Sequence, residues 1–194
     1  MVKLGFIGEG AVEKRILESP PFRDYLRSVN IDFVADVIDA EGKDNLPPVK
    51  IDKYSRILED KGATKIIILT DLDDHACITS KKEDIRPTGN HIVIVSVKEI
   101  EAWFLADEIA VKLFLKDNHY SIENPEQIAN PFEKIRQLRI EKIGRGIGSK
   151  VLLAKQMIGN HNFSILRAAQ HPNCASAKYF IEKINGFSVK PPST

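Results

Sequence analysis

The chain divides into a first part with short aliphatic runs and a second part with only helical patterns. The aliphatic runs, each of strand length, lie at residues 2–7, 31–38, 66–69 and 91–95. The run at 66–69 is aliphatic at every position, which is typical of a strand covered on both faces, as in parallel sheets. Helical spacing follows at residues 108–115, 131–138, 150–158, 163–169 and 175–184. The pattern predicts an α/β fold at 1–107 and a helical extension at 108–194 that packs on it.

The segments between the aliphatic runs have the length of crossover helices. The spacing predicts helices from about Ala11 to the residues before Pro20, over 22–29 and over 51–61. The polar segment 76–85 gives no clear periodicity. Strands separated by helices run parallel, and right-handed crossovers bring their carboxyl ends to one edge of the sheet. We therefore expect the first, third and fourth strands to be neighbours.

Three carboxylates follow the third strand within five residues. Asp71, Asp73 and Asp74 come shortly after the run at 66–69, at the edge where open α/β sheets bind ligands. Aspartate is also common after strands because it caps helices and tolerates turns. Three adjacent like charges repel one another unless a cation compensates them. The Asp-x-Asp spacing therefore favours a metal site over simple capping.

Other acidic residues follow the first and fourth strands. Glu9 comes after the first strand, and Glu13 lies one helical turn later, so that both can face the same edge. Glu99 and Glu101 come shortly after the fourth strand. Carboxylates after three strands of one parallel sheet are expected to converge.

The first loop also permits a different interpretation. Gly8-Glu9-Gly10 lies between a strand and a helix, as in the dinucleotide fingerprint G-x-G-x-x-G. The third glycine of that fingerprint is replaced by Glu13, and both glutamates would repel a pyrophosphate. A metal ion between them reverses this electrostatic effect. We therefore favour a metal site over a nicotinamide site.

Composition and charge are those of a globular protein with an uneven charge distribution. The 194 residues are 43% hydrophobic and carry a net charge of +1. Residues 1–132 hold 17 Lys and Arg against 24 Asp and Glu, a net of −7, whereas residues 133–194 hold 11 against 3, a net of +8. The basic part is either a surface for a polyanion or a solvated helix face. Its Gly-rich loop, with Arg145 and Lys150, is either a phosphate site or a linker.

Targeting signals and cysteine patterns exclude several classes. There is no apolar run of membrane-spanning length, and the first aliphatic segment is too short for a signal peptide. Cys77 and Cys174 form neither a metal-binding pair nor a disulfide framework. We expect a cytoplasmic protein with no membrane partner.

These acidic motifs resemble those of the Toprim (topoisomerase-primase) superfamily. The resemblance rests on Glu9 after strand one, Asp71-x-Asp73 after strand three and the acidic segment after strand four, and it covers residues 2–107. Glu9-Gly10-x-x-Glu13 and the stretch 101–107 are similar to small stand-alone Toprim-like proteins of uncharacterised function related to the OLD-family nucleases. The resemblance implies a Toprim-like parallel sheet with a basic helical C-terminal lobe.

The resemblance also implies Mg²⁺-dependent (or Mn²⁺-dependent) phosphodiester hydrolysis of DNA or RNA. Its implied metal ligands are Glu9, Glu13, Asp71, Asp73 and Glu101. Its implied catalytic residues are Glu9, Asp71, Asp73, Glu101 and Lys150. Some such relatives pair with a separate ATPase, and others are implied to bind nucleic acid or a partner without catalysis. The sequence determines neither the choice between DNA and RNA nor the oligomeric state.

Overall fold

A five-stranded, all-parallel sheet forms the centre of the computed structural model, which describes residues 1–188. Its strands are β1 (Val2–Gly8), β2 (Ile31–Phe33), β3 (Ile38–Asp39), β4 (Lys65–Asp71) and β5 (His91–Ser96). The strand order is β2-β1-β4-β5, and β3 pairs with the carboxyl end of β1. The predicted α/β fold, a parallel sheet flanked by helices as in a Toprim-like fold, is confirmed.

Helices connect the strands and follow the sheet. Five of them precede residue 107: α1 (Ala11–Leu17), α2 (Pro20–Ser28), α3 (Pro48–Asp60), α4 (Ile78–Ile85) and α5 (Glu101–Ala106). The others are α6 (Glu108–Leu115), α7 (Pro131–Ile143), α8 (Lys150–His161), α9 (Ile165–Gln170) and α10 (Ala175–Asn185). Within residues 1–188, none of the helices combines the length and the apolar character needed to cross a bilayer.

The strand predicted over residues 31–38 is wrong as one continuous element. Val2 pairs with Ile31, but Ile7 pairs with Ile38, so that five steps along β1 correspond to seven steps along the second segment. The surplus residues leave the sheet between β2 and β3. There the backbone N–H of Val37 donates to Glu18 Oε1 at 2.9 Å instead of to a neighbouring strand.

The polar segment 76–85, for which no element was predicted, contains α4. Its periodicity is difficult to see in the sequence because its two buried side chains, Lys81 and Ile85, include a charged residue. Residues four apart share one helix face. This face of α4 packs inward at the edge of the sheet, and it brings a lysine into the interior.

The sheet divides two apolar cores. Along β4, Ile67 and Leu69 belong to the core on one face, whereas Ile66 and Ile68 belong to the core on the other. Helices α6 to α10 contribute to the first core, and Phe180 of α10 lies 5.5 Å from the ring of Trp103. The boundary at residue 107 stays a prediction, because one continuous core contains side chains from both parts of the chain.

Candidate metal centre

Three carboxylates meet where the central strands end. Glu9 follows β1, Asp71 is the last residue of β4, and Asp73 lies two residues further. Each offers a carboxylate oxygen, and these oxygens all lie within 4.8 Å of one another. The structure therefore brings together three of the predicted ligands, because β1 and β4 are neighbours that run parallel and end at the same edge.

Hydrogen bonds from the end of β4 fix the carboxylate of Glu9. Its Oε2 atom accepts hydrogen bonds from the Thr70 hydroxyl and from the backbone N–H of Asp71, the latter at 3.3 Å. The backbone N–H of Glu9 donates to Leu69 O at 2.9 Å. Glu9 is thus attached to β4 through both its main chain and its side chain, and its orientation is set before any ion binds.

Asp71 is held from the side of β5. Its Oδ1 atom accepts hydrogen bonds from the Ser96 hydroxyl and from the backbone N–H of Ile100, the latter at 2.8 Å. The residue is 7% exposed. Burial raises its pKa well above the ordinary value, and the nearby Glu13 carboxylate raises it further. Metal-free Asp71 therefore carries a proton more readily than an exposed aspartate.

Asp73 has a left-handed backbone conformation, with φ of 49°. Aspartate visits this region more readily than most residues because its short polar side chain can form local hydrogen bonds. The backbone N–H of Asp73 donates to Lys98 O at 3.0 Å, which fixes the turn. Asp73 Oδ2 is buried and accepts no hydrogen bond from the residues that the structure describes. The turn thus places the Asp73 carboxylate near those of Glu9 and Asp71.

Glu13 and Glu101 add two further buried carboxylates. Glu13, in α1, is 5% exposed, and Glu101, at the start of α5, is 1% exposed. Burial raises the pKa of Glu13 to about 7, and the charges of Glu101 and Glu9 act in the same direction. Burial also raises the pKa of Glu101. Neither oxygen of Glu101 has a hydrogen-bond partner in the described part of the chain. The charges of Glu13 and Glu101 both raise the pKa of Asp71, so these two acids lie close to the three.

Lys150 reaches this cluster from the helical extension. Its Nζ atom lies 2.9 Å from Glu99 Oε1 and 3.4 Å from Glu101 Oε2. Burial opposes the charged form of Lys150, but the Glu101 and Glu99 carboxylates outweigh it and raise the lysine pKa. Ser149 caps α8 by accepting from Leu152 N at 3.2 Å, which fixes where the helix and Lys150 begin. The predicted catalytic lysine is therefore next to the predicted acids.

Sequence reasoning missed Lys81, Thr70 and Ser96. Lys81 is 4% exposed, and its Nζ atom lies 3.6 Å from Glu9 Oε2 and 3.7 Å from Asp73 Oδ2. Thr70 and Ser96 are fully buried at the ends of β4 and β5. A hydroxyl at the end of an apolar strand is a visible signal in the sequence. Lys81 gives no such signal, because Lys82 is its neighbour and lysines are common on exposed helix faces.

An open cleft of about 470 Å³ adjoins the cluster. Lys43, Asp74, His75 and Lys81 are among the residues that line it. His75 Nε2 lies 3.0 Å from Asp84 Oδ2 and is oriented by that carboxylate. The cleft gives solutes a path to Lys81 and therefore to the carboxylates behind it.

Arg145, Trp103 and the two cysteines are not part of the carboxylate cluster. Arg145 is exposed in the loop between α7 and α8. Trp103 is fully buried, and its indole N–H donates to the Ser176 hydroxyl at 2.7 Å, so its ring is part of the core and offers no stacking surface for a base. Cys77 and Cys174 are free thiols, the first exposed and the second buried.

The chemistry of the donor groups fits a hard divalent cation. The cluster offers carboxylate oxygens without sulfur or imidazole ligands, which is the set that Mg²⁺ and Mn²⁺ prefer. Within residues 1–188, buried oxygens of Asp73, Glu99 and Glu101 accept no hydrogen bond, and such groups are costly unless something compensates them. A cation supplies that compensation. The buried carboxylate of Glu13 disfavours the binding of a pyrophosphate at the first loop.

Comparison with known proteins identifies no relative. No family model, no curated protein and no solved structure matches the chain.

Proposed function

We propose that this protein is a Toprim-like nuclease that hydrolyses phosphodiester bonds in DNA or RNA with Mg²⁺ or Mn²⁺. The proposal is carried by one observation, the convergence of carboxylate oxygens from Glu9, Asp71 and Asp73 within 4.8 Å. A bound divalent ion supplies charge neutralisation at the phosphate and activation of a water. Glu9, Asp71 and Asp73 hold this ion, and Glu13 and Glu101 complete the acidic surroundings.

The surrounding residues keep this arrangement ready for an ion. The Thr70 hydroxyl and the backbone N–H groups of Asp71 and Ile100 orient the carboxylates from behind. Lys150 compensates part of the negative charge through Glu99 and Glu101. Glu101 is buried beside the cluster and has a raised pKa, so it is suited to accept and release a proton during hydrolysis.

The test is the substitution Asp71→Asn. The side-chain amide oxygen of asparagine can accept the hydrogen bonds from Ser96 and Ile100, as the aspartate oxygen does. The substitution removes the charge that binds the ion. We expect loss of Mg²⁺-dependent cleavage of labelled single-stranded and double-stranded DNA and RNA. We also expect the metal-free melting temperature to stay equal or rise slightly, because one of several crowded carboxylates has been removed.

The matched control is Asp32→Asn. Asp32 is an exposed aspartate of β2 whose partner is Lys3, at the opposite end of β1 from Glu9. Cleavage by this variant should equal that of the wild type. A wild-type protein that binds Mn²⁺ but cleaves none of the substrates would favour the non-catalytic binding module. If the metal ion does not stabilise the wild-type protein, both the proposed metal centre and the proposed nuclease activity are disproved.

A further inference from the structure

Lys81 is a buried cation inside the acidic cluster. It projects from α4, is 4% exposed, and has its ammonium 3.6 Å from Glu9 and 3.7 Å from Asp73. Lysine is almost never buried to this extent unless it is paired. Its two partners are two of the three residues whose carboxylate oxygens converge. The ammonium therefore lies between the same carboxylates that a divalent ion would use.

The third carboxylate has different partners. Asp71 accepts its hydrogen bonds from Ser96 and from Ile100, so it is oriented independently of Lys81. Glu9 is likewise held by Thr70 through the hydroxyl. In contrast, Asp73 Oδ2 accepts no hydrogen bond within residues 1–188, and the ammonium groups of Lys81 and Lys43 lie 3.7 Å and 3.8 Å from it. These separations exceed ordinary hydrogen-bond lengths, so the compensation at Asp73 is mainly electrostatic.

The backbone of α4 is anchored in the core, whereas the Lys81 side chain borders the open cleft. Ile85, four residues after Lys81, is 2% exposed in the apolar core and anchors the same helix face. Asp74 and Asp84 line the same open cleft as Lys81. An ammonium on a flexible four-carbon chain can leave Glu9 and Asp73 for these acidic side chains without unfolding of the helix.

We infer that Lys81 is a tethered counter-ion that occupies the metal position in the metal-free protein and is displaced into the cleft when a divalent cation binds. This inference rests on the metal binding of the proposed function. In the metal-free state the ammonium reduces repulsion among the carboxylates and preserves their arrangement. In the metal-bound state it faces the cleft, where it is placed to contact a phosphate oxygen of the substrate. Lys81 is thus a positioning residue that also sets metal affinity.

The first experiment measures metal affinity without nucleic acid. Lys81→Met keeps an unbranched side chain that is one atom shorter and removes its charge, and Lys81→Arg keeps the charge. Titration calorimetry with Mn²⁺ should give affinity at least about tenfold tighter for Lys81→Met than for the wild type, because a like charge close to the ion has been removed. Lys81→Arg should stay near the wild-type value. The metal-free melting temperature of Lys81→Met should fall.

The matched control is Lys82→Met. Lys82 is the neighbour of Lys81 on α4, but its ammonium lies over the ring of Tyr179, 5.2 Å from the ring centre. Its loss should leave Mn²⁺ affinity unchanged. A purely structural role of Lys81 would lower the melting temperature of Lys81→Met without tightening Mn²⁺ binding, and that result would overturn the inference.

A second measurement uses the wild-type protein and stays informative if Lys81→Met does not fold. Amine acetylation followed by mass spectrometry reports the exposure of each lysine. Addition of Mn²⁺ should increase the reactivity of Lys81 and leave that of Lys82 unchanged. Unchanged or decreased reactivity of Lys81 in protein that binds Mn²⁺ would overturn the inference alone. Absence of Mn²⁺ binding would overturn both proposals, whereas Lys81 release without any cleavage would overturn only the nuclease.

Discussion

At the scale of single residues, the candidate centre contains acids that are costly to ionise without a cation. Glu13, Asp71 and Glu101 all have raised pKa values, and burial is the largest cause in each case. Burial disfavours the charged form because the interior solvates it poorly, and neighbouring carboxylates add repulsion. Each raised pKa unit corresponds to about 1.4 kcal/mol of destabilisation once the group is ionised. In the metal-free protein these carboxylates therefore repel one another when they are ionised, and a divalent ion would relieve this repulsion.

This repulsion predicts a pH dependence that can be isolated with Glu13→Gln. The pKa of Glu13 is about 7 in the folded protein, against an ordinary value of 4.5. Between these values the folded state holds more protons at this group than the unfolded state, so the free energy of unfolding falls as pH rises. Without metal, wild-type stability should therefore fall relative to Glu13→Gln from pH 4.5 to 7 and stay lower above pH 7.

The measurement is urea unfolding of both proteins in EDTA across pH 4.5 to 8. Glutamine keeps an oxygen that can accept from Gly10 N, as Glu13 Oε2 does at 2.9 Å. Burial lowers the pKa of His91 and of His161, which has the opposite effect on stability, but these residues are common to both proteins and cancel in the difference. A stability difference that does not change with pH would contradict the buried, crowded position of Glu13.

At the scale of elements, the approach of α1 to β1 positions Glu13. A Cβ atom at Gly8 would lie 2.9 Å from the Cβ atom of Glu13 and 3.2 Å from Lys14 N. No real side chain fits at that separation, so glycine permits α1 to begin directly beside the strand end. The same contact brings Glu13 within electrostatic range of Glu9.

Gly8→Ala should therefore destabilise the protein by about 1–3 kcal/mol, the usual cost of overpacking. It should also weaken Mn²⁺ binding because α1 must shift away from the strand end. The matched control is Gly159→Ala in α8, where a new Cβ meets nothing within 4 Å. That variant should gain about 0.5–1 kcal/mol from helix propensity. Urea unfolding and calorimetry measure both effects, and wild-type stability of Gly8→Ala would disprove the close approach.

At the scale of the whole molecule, the two oppositely charged parts of the sequence meet at the candidate centre. Lys150 of α8 pairs with Glu99 and Glu101, and Lys142 of α7 pairs with Asp117 at 2.8 Å. Part of the C-terminal positive charge is therefore used inside the protein. Arg145, in the loop between these helices, is exposed, and it is the better candidate for a phosphate contact on the surface.

Nucleic-acid affinity should fall steeply with salt, because each phosphate contact releases counterions. Neutralising Arg145 and Lys150 together should reduce the slope of log affinity against log salt. Arg145→Gln alone should reduce the slope by about 1, since the Lys150 ammonium is already held by Glu99. Fluorescence anisotropy with labelled DNA and RNA in Ca²⁺ measures the slope. Lys53→Gln, at an exposed position of α3, is the control. An affinity independent of salt would exclude this surface.

The sequence by itself determined the architecture and the place of the acids. Unbroken aliphatic runs such as 66–69 indicate strands covered on both faces, and helix-length separations require parallel pairing. Acids that follow such strands reach the same edge because parallel strands end at the same edge of the sheet. The convergence of Glu9, Asp71 and Asp73 was therefore predictable from local pattern and chain direction alone. Their role as metal ligands stays a prediction.

Only the tertiary structure decided the break at β2 and β3, the helix α4 and the position of Lys81. The break depends on register against β1, which involves residues about thirty positions away. Lys81 lies 72 positions after Glu9 in the chain, yet their charges lie 3.6 Å apart. A polar helix carries no signal of which lysine faces inward, because the packing of the whole sheet edge selects it. The positions of the acids were predictable from the strand pattern, whereas the position of Lys81 was decided by the tertiary structure.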